Sequence, residues 1–114
     1  MKIRFLNATL IAASLACFAA SPVLAVDADA AQKLAKKNDC FKCHAIDKTK
    51  KGPSYKKIAA KYKGKEAEGE KNAIKNMTTG PKVKLEDGSE EDHKIIDTKD
   101  PAELKNLIDW ILSQ

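Results

Sequence analysis

The chain has 114 residues, with 21 basic side chains against 16 acidic ones, which is enough for one small domain with a thin core and no more. Its only arginine is Arg4, so the excess charge is lysine. With an export signal at its start and no arginine forks beyond it, nucleic acid is excluded as a partner.

Residues 1–25 read as an export signal. Lys2 and Arg4 form a basic start, Phe5 to Phe18 is mostly apolar, and Val23-Leu24-Ala25 is a small-residue cleavage site. The apolar run is shorter than the roughly 20 residues that span a bilayer, and Pro22 interrupts it. The expectation is a periplasmic protein cut before Val26, a single domain over residues 26–114, 89 residues long. Cleavage removes Cys17 and leaves Cys40 and Cys43 as the only thiols. The remaining charge is uneven: residues 33–65 hold 12 lysines and two acids, whereas residues 66–114 hold 7 lysines and 12 acids. Such a field orients an acidic partner and raises its on-rate at low salt.

A first helix is expected from Asp27 or Asp29 towards Asn38, its early acids suiting the N-terminus and Ala31, Leu34, Ala35 and Asn38 sharing a face. It delivers the chain to Cys40-Phe41-Lys42-Cys43-His44. Two cysteines two residues apart, followed at once by histidine, form the attachment signature of a c-type haem. One turn spans both vinyl groups, each thiol can form a thioether, and the adjacent histidine emerges below the ring as an iron ligand. A haem also supplies the apolar plate that a domain this small otherwise lacks. Two haem-free readings compete. A redox dithiol would need a strand before the motif and a parallel sheet, and neither pattern is visible. A zinc site with His93 is awkward because Cys43 and His44 are adjacent.

Residues 45–53 form a lysine-rich loop closed by Gly52-Pro53. Ser54 can cap a second helix whose Tyr55, Ile58, Ala59 and Tyr62 make an apolar stripe, ended by Lys63-Gly64. A third helix covers Glu66 to Met77, with Ala67, Ala73, Ile74 and Met77 as inward candidates, Gly69 as a weak point and Gly80-Pro81 as its stop. Residues 81–99 alternate Val83 and Leu85 with lysines and turn at Asp87-Gly88, the pattern of a short hairpin. Glu90-Glu91-Asp92 then leads into His93. A last helix opens with Asp100 as cap, Pro101 at its first position and Glu103 completing a capping-box-like pattern. Leu104, Leu107, Ile108 and Ile111 form its apolar face, flanked by Trp110. The class is all-α, about four helices around one site.

Four segments in this order resemble the small bacterial class I cytochromes c of the c-551/c-552 kind. They are the helix leading into Cys40–His44, then Lys51-Gly52-Pro53-Ser54-Tyr55, then Ala73-Ile74-Lys75-Asn76, and last Leu104 to Gln114. The resemblance covers nearly all of residues 26–114. It implies one covalent haem c on Cys40 and Cys43, His44 as proximal iron ligand, and a hydrogen bond from His44 to the Pro53 carbonyl that fixes the ring's tautomer. It also implies that the first and last helices cross.

The family's proline-rich distal loop with a methionine ligand has no counterpart here. Beyond the export signal the one methionine is Met77, at the end of the third helix. His93 lies 17 residues before Trp110, close to the spacing the family shows between its methionine and its C-terminal aromatic. His93 is therefore the preferred distal ligand and Met77 the alternative, followed by Lys94, another lysine, or an open site holding water. A plain surface histidine on an acidic loop is the competing reading of His93, and a gap-filling core residue that of Met77. Two imidazoles would give a low-potential, low-spin carrier, because thioether ligation is what raises haem potentials. The function expected is single-electron transfer between redox proteins by a monomer, with Lys42, Lys48, Lys50 and Lys51 facing an acidic partner. The alternative is a haem protein whose labile distal site binds small ligands or acts as a peroxidase.

Overall fold

The computed structural model describes residues 25–114. Residues 1–24, nearly all of the expected export signal, lie outside the described residues. The chain runs α1 (Ala28–Lys37), a 3-10 turn (Cys40–Lys42), α2 (Tyr55–Tyr62), α3 (Glu66–Thr79), β1 (Lys82–Lys84), β2 (Glu90–Asp92) and α4 (Pro101–Leu112). It is all-α apart from one small hairpin.

α4 is the hub, packing against α1, α2 and α3. Leu107, Ile108, Trp110 and Ile111 are buried on it, facing Ala31, Leu34 and Ala35 of α1. The small alanines let the first and last helices cross closely. Both ends of α1 are also pinned by hydrogen bonds to the C-terminal region. At its start, the Asp27 amide donates to Asn106 Oδ1 and Asn106 Nδ2 donates to the Asp27 carbonyl, both at 2.8 Å. At its end, the buried Asn38 accepts from the Asp97 amide at 2.7 Å and donates to the Leu34 carbonyl at 3.0 Å. Three of the four helices begin where their caps predict, and α3 starts after Lys65 without a capping side chain. Asp27, Ser54 and Asp100 accept from the Ala30, Lys57 and Ala102 amides, satisfying donors that the first turn leaves open. Glu103 does not close a capping box; its carboxylate accepts from the Thr98 hydroxyl at 2.6 Å.

α3 differs from the sequence expectation in its end and in its face. It continues to Thr79 and stops at Gly80, whose φ of 57° is left-handed and costs an L side chain strain that glycine escapes. Ala67 and Ile74 are exposed, and the inward residues are Gly69, Ala73 and Met77. The cause is a close approach. A Cβ on Gly69 would sit 2.7 Å from Tyr62 Cγ and 3.1 Å from Leu112 Cδ2. The glycine is therefore the contact point with α2 and α4, and the helix turns it inward at the expense of two apolar side chains.

The hairpin pairs Lys82 with Asp92, Val83 with Glu91 and Lys84 with Glu90. Its turn side is tied to the loop before α2, where the Glu86 amide donates to the Lys51 carbonyl at 3.1 Å and Lys51 pairs with Glu91 at 3.6 Å. Among the described residues no helix is long and apolar enough to cross a membrane.

Candidate functional site

α1 ends at Asn38, and Asp39 takes a left-handed φ of 59° that turns the chain sharply. The 3-10 turn follows, with the Cys43 and His44 amides both donating to the Cys40 carbonyl at 3.2 and 3.0 Å. Cys40, Cys43 and His44 thus share one tight turn. The two thiols are not bonded to each other, and burial pushes the Cys40 thiol up from its ordinary value. That is the opposite of the lowered pKa a reactive dithiol needs. Nor do three His, Cys, Asp or Glu side chains converge on a metal-sized point among the described residues, which leaves the zinc reading without ligands.

The loop after the motif folds back onto it. Gly52 donates from its amide to the Cys43 carbonyl at 2.8 Å, and Tyr55 donates to the Ala45 carbonyl at 2.9 Å. This brings the Pro53 carbonyl to 2.6 Å from His44 Nδ1. Gly52 is buried directly against the ring, and a Cβ there would lie 3.0 Å from His44 Cε1. Burial lowers the His44 pKa while the Pro53 carbonyl opposes it, so the ring is held neutral with its proton on Nδ1 and the Nε2 lone pair free.

His93 follows β2 directly. Its amide donates to the Pro81 carbonyl at 2.9 Å, and its Nδ1 lies 3.0 Å from the Lys94 carbonyl. Both histidines therefore have Nδ1 engaged by a backbone carbonyl and Nε2 left over. Their ring centroids are 6.4 Å apart, with the planes tilted by 44°. At metal–imidazole bonds of about 2.0–2.1 Å, that spacing would leave room for one metal ion between the two rings.

Between them lies a cavity of about 810 Å³ whose walls include Cys40, Cys43, His44, Tyr55, Met77 and His93. Its size is in the range of cofactor sites. The cysteines that would attach a haem line it, and Tyr55, which also lines it, has a buried phenol oxygen without a partner. The residues present fit a haem. Met77 is also here, 8% exposed, within the hydrophobic core that α3 and α4 share. Lys94 lines the same cavity from an exposed position.

Tyr55 is the site residue to which the sequence assigned no role beyond the helix stripe and the Lys51–Tyr55 segment. Its ring stacks on His44 at 5.4 Å and 23°, and meets Phe41 and Trp110 edge-on. The signal available was its place two residues after Pro53, but nothing local shows that α2 turns this face towards the haem motif. The four motif-side lysines are exposed. Lys42 pairs with Asp39 at 3.3 Å, Lys51 with Glu91, and Lys50 donates to the Phe41 carbonyl.

The cytochrome c family profile matches residues 28–114. Cytochrome c-552 of Nitrosomonas europaea is 36% identical over 110 residues, covering 87% of this chain and 93% of that protein. Cytochrome c-551 of Allochromatium vinosum is 40% identical over 47 residues, 41% of this chain and 50% of that one. The crystal structure of the class 1 cytochrome MtoD from Sideroxydans lithotrophicus ES-1 superposes with a TM-score of 0.72 at 58% identity, covering 78% of this chain and 97% of that one. With the attachment turn, the cavity and the helix order all in agreement, the chain belongs to the cytochrome c family: it is a class I cytochrome, an electron carrier with covalently bound haem c and not an enzyme.

Proposed function

We propose that this cytochrome holds its haem iron between two imidazoles, His44 on the proximal side and His93 on the distal side, and works as a low-potential carrier in the periplasm after removal of residues 1–25. One observation carries the reading: two histidine rings 6.4 Å apart across the cavity, each with Nδ1 at a carbonyl and Nε2 unengaged.

The haem supplies a one-electron ferric–ferrous couple when bound. The chain's own residues do the rest. Cys40 and Cys43 tether the group, so the site is never lost by dissociation. The Pro53 carbonyl accepts from His44 Nδ1 and raises the ring's basicity, which favours the ferric state. His93 is a stronger donor to ferric iron than a thioether, and this substitution moves the potential down within the roughly 0.8 V that axial ligands command. Two ligands held from rigid backbone limit reorganisation between redox states. The exposed lysines beside the motif, Lys42, Lys48, Lys50 and Lys51, steer a redox partner with an acidic surface towards this side of a monomeric carrier. Met77 then serves as packing against the haem instead of as a ligand.

The test is the visible and near-infrared spectrum of the ferric holoprotein beside its His93→Ala variant. The expected wild type is low-spin without the weak far-red band of methionine–iron ligation, and the variant turns high-spin. A methionine band that survives in the variant assigns Met77 instead and removes the low-potential claim.

A further inference from the structure

Tyr55 is 2% exposed, and its hydroxyl is the one buried side-chain polar atom without a hydrogen-bond partner among the described residues. An unpaired buried hydroxyl carries its full desolvation penalty, so a native protein that retains one supplies a partner in its working state. The ring cannot swing away to find water. It is held face-on by His44 at 5.4 Å, edge-on by Trp110 at 5.3 Å and by Phe41 at 5.9 Å. The hydroxyl is therefore fixed in the interior, beside the haem-attachment turn. The polar neighbours that act on it are few. Burial, then the Cys40 sulfur and then that of Cys43, hold the phenol in its protonated form. His44 is engaged elsewhere, with its Nδ1 on Pro53.

The Cys40 sulfur is a weak acceptor both as a thiol and as a thioether. Attachment removes its S–H and leaves it an acceptor only, with Tyr55 as the neighbouring donor. We propose that Tyr55 is a potential-setting residue of the proximal side, its hydroxyl donating to the Cys40 thioether sulfur and pointing the positive end of the O–H dipole at the haem edge. The dipole favours the reduced state, so it partly offsets the lowering of the potential by two imidazoles. This inference rests on the attachment of haem at Cys40 with His44 as the proximal ligand.

The experiment is spectroelectrochemical titration of the holoprotein and its Tyr55→Phe variant, with thermal unfolding of both. Phenylalanine keeps the ring and its stacking and removes only the hydroxyl. The expected result is an unchanged low-spin spectrum and a lower potential. The redox equilibrium constant shifts about threefold, equivalent to about 28 mV at 59 mV per tenfold for one electron. A potential that stays put or rises overturns the proposal. A variant that also becomes more stable would show that the hydroxyl remains unpaired in the holoprotein. The wild-type spectrum reads the imidazole ligation by itself, so failure of the ligand assignment is not mistaken for failure of the Tyr55 role.

Discussion

Around His44 the chain leaves no slack. Gly52 touches the imidazole, and an added Cβ would come within 3.0 Å of Cε1 and 3.3 Å of Nδ1. The ring cannot yield without lengthening its bond to Pro53, and the loop cannot yield without lengthening the Gly52–Cys43 bond. Gly52→Ala should therefore destabilise the holoprotein by about 1–3 kcal/mol, the usual cost of overpacking, and perturb the haem spectrum. Denaturant unfolding followed in the Soret region checks both; an unchanged midpoint and spectrum would show that the loop can relax. Tyr55 makes a second prediction at this scale. Burial raises its pKa well above the ordinary value of 10.0, so above that pH the unfolded chain releases a proton that the folded one keeps. The contribution is present in full below about pH 10 and is lost as pH rises towards the folded value, with a slope approaching about 1.4 kcal/mol per pH unit. Stability curves of the wild type and Tyr55→Phe should diverge in slope only on the alkaline side. Parallel curves to pH 11 would mean that Tyr55 titrates normally.

Among the elements, α3 shows a local preference overruled by packing. Glycine inside a helix costs roughly 1 kcal/mol relative to alanine, so propensity alone favours Gly69→Ala. The substituted Cβ would meet Tyr62 Cβ at 2.9 Å and Cγ at 2.7 Å. These are core atoms near the backbone and not the tip of a flexible side chain. Steric cost should win, with a net loss of about 1–3 kcal/mol and a lower Tm; a gain in Tm would mean that propensity governs this position. The same contact explains why Ala67 and Ile74 face solvent although both are apolar. The hairpin is the opposite case. Its alternation and its Asp87-Gly88 turn are local features, and the strands form where they indicate. Its placement over the cavity depends on Lys51, a residue of another segment.

Over the whole molecule, charge is divided between a lysine-rich stretch from 33 to 65 and an acid-rich stretch from 66 to 114. The attachment motif lies in the first. A small anionic oxidant such as ferricyanide should oxidise the ferrous protein faster than a cationic complex of equal driving force. The gap should close as ionic strength rises and the Debye length falls from about 30 Å at 0.01 M to about 8 Å at 0.15 M. Stopped-flow rates at several salt concentrations decide this. Equal rates for the two reagents would remove the lysines as a steering surface, as their ion pairs with Asp39 and Glu91 and the acids of the hairpin could bring about. Size matters here too. An apolar domain core this thin surrounds a cavity of about 810 Å³, which makes the covalent haem a structural part as much as the redox centre.

The sequence by itself determined whatever depends on neighbours along the chain. The attachment motif is a two-residue spacing, the starts of α1, α2 and α4 are caps one turn long, and the element order follows from such local signals. The resemblance to class I cytochromes c rests on the same short segments. Distances between segments were decided only by the tertiary structure. His44 and His93 are separated by 49 residues, and the 6.4 Å between their rings depends on the loop that carries Pro53, the hairpin that leads into His93 and the Gly80 turn between α3 and β1. Tyr55 reads as one of several apolar residues on a stripe until α2 is docked, and Gly69 reads as a flaw until α3 meets Tyr62. In each case the missing information is the shape of the opposing surface, because burial and close contact belong to pairs of elements and not to either alone.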